Sequence, residues 1–302
     1  MTQVSQRIAS LAVSETLAMS QKSTELKAQG INVINMSVGE PDFFTPEHIK
    51  EAAKKAIDDN FSFYTPVPGY MSLRQAISRK LKNENRLDYK PEQIICSSGA
   101  KQAVCNVLLT VVDKNDEVVI PAPCWVSYIE MVKLAEGKSV VVRTGIEQDF
   151  KITPAQLEGG AITPQNKSYN SLFPVKSYRK YIFKGGTGSL ANVLAKYPNI
   201  IIIADEIYEH INYVGKHESI AQFDNIRDRV VIINGVSKAY AMTGWRLGWM
   251  AAPQWIASAC NKLQGQYTSG ASSIARKLLK RLITETNSVW RICVRLLCAA
   301  AI

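Results

Sequence analysis

Residues 200–203 are four consecutive isoleucines, followed at once by Ala204, Asp205, Glu206, Ile207 and Tyr208. A β-branched run with no polar alternation suits a strand covered on both faces, the habit of parallel sheets flanked by helices. A second such run, residues 230–233, reads V-V-I-I. Short β-branched runs alternate with helical stretches along the chain, and the fold class this predicts is α/β, with a mainly parallel sheet and helices on both faces. Such sheets bind ligands outside the carboxyl ends of their strands, so the residues after each run are where chemistry is expected. Asp205 closes the first run, where it can face a ligand or cap the next helix.

The second run is followed by N-G-V-S-K-A-Y-A-M-T-G-W-R-L-G-W at residues 234–249. Lys238 follows a buried strand, is flanked by Gly235, Ser237 and Gly244, and precedes Arg246. This is the layout of an amine that forms a Schiff base with a cofactor aldehyde. A guanidinium fork and the Ser237 hydroxyl would hold a phosphate, and the glycines let the backbone close in. The plainer reading is a solvated Lys-Arg pair on a loop.

Together, D-E-I-Y and S-K-A-Y-A-M-T-G-W-R-L-G resemble the class I aminotransferases, pyridoxal-phosphate enzymes of the aspartate aminotransferase fold type (fold type I). The resemblance covers most of residues 1–167 and 191–275 and is nearest to the bacterial aspartate or prephenate aminotransferase branch. It implies a seven-stranded, mainly parallel sheet in a homodimer and transfer of an amino group from aspartate or glutamate to a 2-oxo acid. It makes Lys238 the Schiff-base lysine and proton shuttle, Asp205 the partner of the ring nitrogen, Tyr208 a donor to the phenolic oxygen, and Ser237 with Arg246 the phosphate clamp. Gly235 stands where some members carry a second phosphate-binding hydroxyl.

Further positions follow the same resemblance. Residues 31–36 read as a short strand leading into S-V-G-E-P-D, whose Gly39 would lie over the substrate with its backbone N–H near the α-carboxylate; a plain turn fits that stretch equally well. A helix is predicted over 46–58, with Thr45 as N-cap and Pro46 at its first position. In the stretch that follows, Tyr64 would reach across the dimer interface to the partner's phosphate. A strand at 94–96 runs into S-S-G-A-K-Q-A-V, where Gly99, Ala100 and Lys101 would cradle phosphate at a helix start. Lys101 would also meet a distal substrate carboxylate, and Trp125, after the strand at 118–120, would stack on the pyridine ring.

The resemblance breaks after Lys167. There the family carries S-P-x-N-P-T-G, whereas this chain reads S-Y-N-S-L-F-P-V-K-S-Y-R-K-Y-I-F-K-G-G-T-G-S-L, with Lys176 at the asparagine position. Residues 181–183 before G-G-T-G imitate a nucleotide-binding glycine loop, but no third glycine follows at the offset a dehydrogenase needs. Permitted codons for 168–190, read one nucleotide forward, can spell the missing motif, and those from Arg276, read one nucleotide back, can spell an amphipathic helix. The expectation is therefore a shifted frame at 168–190 and a shifted, truncated tail from 276, with the C-terminal small domain and its α-carboxylate arginine largely missing. The domains expected are an N-terminal arm with part of the small domain at 1–45, a cofactor-binding large domain at 46–275 and an aberrant tail at 276–302. The alternative function is a catalytically inactive relic of such an enzyme.

Composition excludes several other classes. The net charge of +10 invites nucleic acid, but +4 lies within 168–190 and +5 within 276–302, leaving +1 elsewhere. No apolar stretch approaches a membrane span, and M-T-Q-V-S-Q-R lacks a signal-peptide core, so a cytoplasmic protein is expected. The six cysteines lack metal-ligand spacing and read as reduced thiols, and the three histidines are too scattered for a metal site or a Ser-His-Asp triad.

Overall fold

The computed structural model describes residues 4–161, 172–176, 184–212 and 217–277. Seven strands, β1 (Ile94–Ser97), β2 (Glu117–Ala122), β3 (Lys138–Arg143), β4 (Leu172–Lys176), β5 (Ile201–Asp205), β6 (Val230–Gly235) and β7 (Gly248–Ala251), form one sheet in the order β1-β7-β6-β5-β4-β2-β3. The pairs from β3 to β6 are parallel, and β7 runs antiparallel to both β1 and β6. The sheet is thus the mainly parallel seven-stranded one expected.

The helices are α1 (Gln6–Ala9), α2 (Glu15–Ala28), α3 (Glu47–Asp58), α4 (Met71–Lys80), α5 (Ala100–Val111), α6 (Ser127–Leu134), α7 (Pro154–Gln156), α8 (Lys184–Ala195) and α9 (Gln254–Tyr267). The isoleucine run is buried along its whole length because alternate side chains enter two different cores. Ile202 and Ile232 face Ile49, Leu73, Ile77 and Leu194 of α3, α4 and α8. Ile201, Ile203, Val231 and Ile233 face Val107, Met131 and Ile256 of α5, α6 and α9. Each buried aliphatic side chain contributes roughly 1.5–3 kcal/mol, so a polar replacement anywhere in β5 would disrupt one of the two layers.

Two local expectations are corrected. Residues 31–36 form no strand: Ile34 and Met36 are 86% and 89% exposed, and no described strand pairs with them. Helix α3 begins at Glu47 with Pro46 as its N-cap, because Thr45 is engaged elsewhere. Its hydroxyl donates to the Ala241 carbonyl and accepts from Trp245 Nε1, joining the helix start to the loop after Lys238. The glycines of G-G-T-G lie in the first turns of α8, not in a loop; residues 181–183 fall outside the described residues. The chain that departs from the family motif nevertheless supplies β4, in register with β5 from Leu172↔Ile201 to Lys176↔Asp205.

The packing of β7 prepares the site. A Cβ on Gly248 would come 2.4 Å from the Ala100 amide nitrogen, and one on Gly235 would come 3.0 Å from Gly248 Cα. With no side chains between them, the start of α5 lies directly against the start of β7, beside the end of β6.

Candidate active site

A cavity of about 360 Å³ opens at the carboxyl ends of β5 and β6. It gathers Gly39, Ala100, Lys101, Trp125, Asp205, Tyr208, Ser237, Lys238 and Arg246, nine of the positions singled out in the sequence. Gly99 stands at its edge, with a φ of +82° and its missing side chain replaced by the Arg246 guanidinium: a Cβ there would lie 2.5 Å from Nη2. Tyr64 is elsewhere. It is fully exposed and lines a second cavity, of about 410 Å³, between residues 62–65 and 268–273.

Asp205 is 3% exposed. The Tyr128 hydroxyl donates to its Oδ2, and the Ile207 amide to its Oδ1 at 3.3 Å. A carboxylate so buried is tolerated only where donors satisfy it. Tyr128 belongs to the first turn of α6 and meets the Trp125 ring edge-on, with centroids 5.4 Å apart. Tyr128 was assigned no role from sequence; its spacing of three from Trp125 at a helix start was the available signal.

Lys238 lies in the turn after β6, half-buried. Its Nζ donates to the Gly39 carbonyl at 2.5 Å and sits 5.9 Å from the Tyr208 ring centroid. Gly39 thus meets the lysine through its carbonyl, a contact its expected role had not included. A Cβ on Gly39 would also come 3.0 Å from the Tyr208 hydroxyl.

The end of the cavity beside α5 is built from main chain and one guanidinium. Helix α5 has Gly99 as N-cap and no side-chain cap, so its first amides point outward from the positive end of a twelve-residue helix. Arg246 adopts a left-handed backbone, φ 54°, and its Nη1 and Nη2 donate to the carbonyls of Thr243 and Ser98 at 2.8 and 3.3 Å. Arginine has five N–H donors, so donors remain for an anion. Lys101 Nζ lies 4.9 Å from the Trp125 ring centroid, and Thr16, Ser37 and Thr243 add hydroxyls that the sequence had not marked.

Two of the three histidines come together although their spacing in the chain did not mark it. The fold gathers His210 and His217 with Glu84, Glu206 and Glu209, and the ligand atoms of Glu206, Glu209 and His217 lie within 4.8 Å of one another. Lys80 supplies the cation in that cluster by contact with Glu209. The four described cysteines, Cys96, Cys105, Cys124 and Cys260, are free thiols. Burial pushes the Cys96 thiol up to about 12. Among the described residues, no helix is long and apolar enough to cross a membrane.

Comparison with known proteins gives this arrangement a family. The aspartate/prephenate aminotransferase of Nitrosomonas europaea is 46% identical over 275 residues, covering 90% of this chain and 69% of that protein. A bifunctional aspartate aminotransferase and glutamate/aspartate-prephenate aminotransferase of Petunia hybrida is 44% identical over 91% of this chain, which spans only 57% of the plant protein's length. The solved aspartate aminotransferase of Thermus thermophilus with maleate superposes with a TM-score of 0.92 at 34% identity, over 99% of this chain and 77% of that one. The family profile described as aminotransferase class I and II matches residues 31–170 and 188–290. It omits 171–187, within the segment whose sequence departs from the motif, and continues past residue 276, where the family pattern had been expected to end. On these matches the chain belongs to the class I and II aminotransferase family, the pyridoxal-phosphate-dependent transaminases.

Proposed function

We propose that the chain moves the amino group of an acidic amino acid, aspartate or glutamate, to a 2-oxo acid, with pyridoxal 5'-phosphate held in the cavity at the ends of β5 and β6. The observation that carries this reading is that one cavity holds a buried, doubly hydrogen-bonded carboxylate, a lysine and an uncapped helix start beside an arginine. These groups fit the cofactor's parts: Asp205 its ring nitrogen, Lys238 its aldehyde, Arg246 with the amides of Ala100 and Lys101 its phosphate. The pinched Gly99, where a Cβ would strike the guanidinium, supports the phosphate end.

When bound, pyridoxal phosphate supplies an aldehyde for amines and a ring that takes up the electron pair left on the substrate α-carbon. The protein's part is to orient and to move protons. Asp205 keeps a proton on the ring nitrogen, its own orientation fixed by Tyr128 and the Ile207 amide. Tyr208 donates to the phenolic oxygen, Trp125 lies against the ring, and Ser237 adds a hydroxyl to the phosphate clamp. Lys238 Nζ removes and returns the proton at the substrate α-carbon. Lys101 attracts the distal carboxylate, and the Gly39 amide meets the α-carboxylate. Tyr64, exposed and outside the cavity, serves a second copy of the chain. A cytoplasmic homodimer completes the reading.

The test is a coupled assay of the full chain with pyridoxal phosphate, aspartate and 2-oxoglutarate, read as oxaloacetate formed. Turnover that falls by about a hundredfold or more in Lys238→Ala, with loss of the cofactor mass fixed by borohydride, supports it. Equal fixation of cofactor in the variant sinks the assignment of Lys238, and turnover with neutral amino acids alone sinks the substrate class.

A further inference from the structure

The stretch D-E-I-Y-E-H at residues 205–210 divides into two sets of side chains. Asp205 and Tyr208 line the cavity. Glu206, Glu209 and His210 enter a polar cluster outside it, met from α4 and the turn after it by Lys80, Glu84 and Asn85, and from the segment after residue 216 by His217 and Ser219.

The cluster is closely built. Lys80, the last residue of α4, touches Glu209 Oε1 and donates to Asn85 Oδ1 at 2.9 Å. Asn85 Nδ2 in turn donates to Glu209 Oε2 at 2.7 Å. His210 Nε2 lies 3.1 Å from Glu209 Oε1, and His217 Nε2 lies 3.1 Å from Glu206 Oε2. The Lys80 and Glu209 side chains are only 5% and 4% exposed. Ser219 donates to Glu206 at 2.5 Å, and the Glu206 amide donates to the Ile233 carbonyl at 2.8 Å, tying the end of β5 to the end of β6. The His210 ring meets Tyr240 edge-on at 6.4 Å, two residues beyond Lys238. The cluster therefore reaches both segments that carry the cavity's reactive groups.

Apolar residues of similar volume often hold a fold as well as a buried ion pair does, so stability alone is a weak reason for one. The hydrogen-bonded part of the cluster, Lys80, Asn85 and Glu209 with Ser219 on Glu206, does fix geometry, since each of these bonds has a set partner. Glu206 and Glu209 flank Tyr208, and Glu206 adjoins Asp205, so the cluster's hydrogen bonds lock the backbone from which both cavity groups project. We propose that the Lys80–Glu209 pair is a positioning device for the reaction, acting through the 205–210 turn to aim Asp205 and Tyr208. This rests on the reading, given under Proposed function, that those two residues face the cofactor ring.

The experiment uses the full chain loaded with pyridoxal phosphate and follows the pH midpoint of the bound cofactor's visible absorption, without substrate, alongside kcat and KM for aspartate. Lys80→Met and Glu209→Gln are expected to move the midpoint by about half a pH unit or more, with kcat down about tenfold and KM within about threefold. Lys80→Met/Glu209→Gln, which removes both charges, is expected to lie nearer the parent than Lys80→Met. Asn85→Ala keeps both charges and loosens their alignment, so it gives the deciding measurement where a charge variant fails to fold. Its midpoint moves if the pair positions the site. Tyr208→Phe is the control for the reading beneath the proposal. If Tyr208→Phe moves the midpoint while the cluster variants change only the melting temperature, the cluster is merely structural and the proposal is overturned. If Tyr208→Phe moves nothing, the placement of Tyr208 against the ring fails and takes the proposal with it.

Discussion

The Tyr128 hydroxyl donates to Oδ2 of Asp205, joining the first turn of α6 to the end of β5 in the buried floor of the cavity. The Ile207 amide bonds the other oxygen, so both oxygens of the carboxylate have donors within the protein. Tyr128 also packs on Trp125, and a single residue thereby links two of the groups assigned to the cofactor ring.

Tyr128→Phe removes that hydroxyl and leaves the ring packing in place. A hydrogen bond to a charged, buried group contributes about 1.5–3 kcal/mol, so turnover is expected to fall about tenfold to a hundredfold. Cofactor fixed by borohydride should stay at the parental level, because Lys238 is untouched. Steady-state kinetics with intact-mass measurement checks both halves; parental turnover would remove Tyr128 from the site.

Gly99→Ala tests the anion cradle. At φ +82° and ψ 163° a non-glycine residue costs on the order of 1–3 kcal/mol, and the new Cβ would also displace Arg246. Affinity for pyridoxal phosphate, followed by fluorescence titration, is expected to weaken about tenfold or more. Gly244→Ala, with open space around it, is the matched comparison and should bind as the parent does.

The buried cluster gives a pH dependence of stability with opposite signs at its two ends. Burial works against the charged form of His217, but Glu206 and then Glu209 outweigh it and raise its pKa above the usual value of about 6.5. Its contribution is fully present below the unfolded value and is lost as pH rises through the folded one. Burial likewise pushes Glu209 up, but Lys80 and the two histidines hold it well below the usual carboxylate range. That contribution is present above about pH 4.3, the unfolded value, and is lost as pH falls through the folded one. The melting-temperature difference between parent and His217→Gln should therefore be largest near pH 6 and shrink in alkaline buffer. A difference that grows above pH 8 would contradict the pairing.

Much of this was legible in the sequence because the chemistry sits at the ends of strongly patterned strands. The runs at 200–203 and 230–233 specify strands buried on two sides, and Asp205 and Lys238 follow from where such strands end. The bond from Tyr128 to Asp205 and the Lys80–Glu209 pair were not legible, since their partners lie 77 and 129 residues apart in the chain. His210 meets Glu209 beside it in the chain and gains Glu84 only where the turn after α4 folds against it, and His217 meets Glu206 through the fold of the segment after residue 216. Residues 31–36 were misread because a β-branched pattern shows that a segment can pair, not that a partner strand is present. At β4 the register with β5 was met by a sequence that does not carry the family motif, Leu172 to Lys176, so sheet pairing and motif proved separable.

Substrate choice should turn on Lys101, which follows Ala100 at the start of α5 and holds its ammonium 4.9 Å from the Trp125 ring centroid. Its side chain is exposed at the cavity, and the aromatic face on one side leaves its charge facing open space that an acidic side chain can enter. An ion pair in so open a position is screened by water, so its effect is modest and falls as salt is added. Lys101→Gln is expected to raise KM for aspartate about fivefold at low ionic strength while leaving KM for alanine unchanged, with kcat for both near the parental value. The gap between parent and variant should narrow in 0.5 M salt, where the screening length is only about 4–5 Å. Equal KM increases for aspartate and alanine would instead mean that the Lys101 ammonium acts on a group both substrates share, and the distal-carboxylate role would be lost.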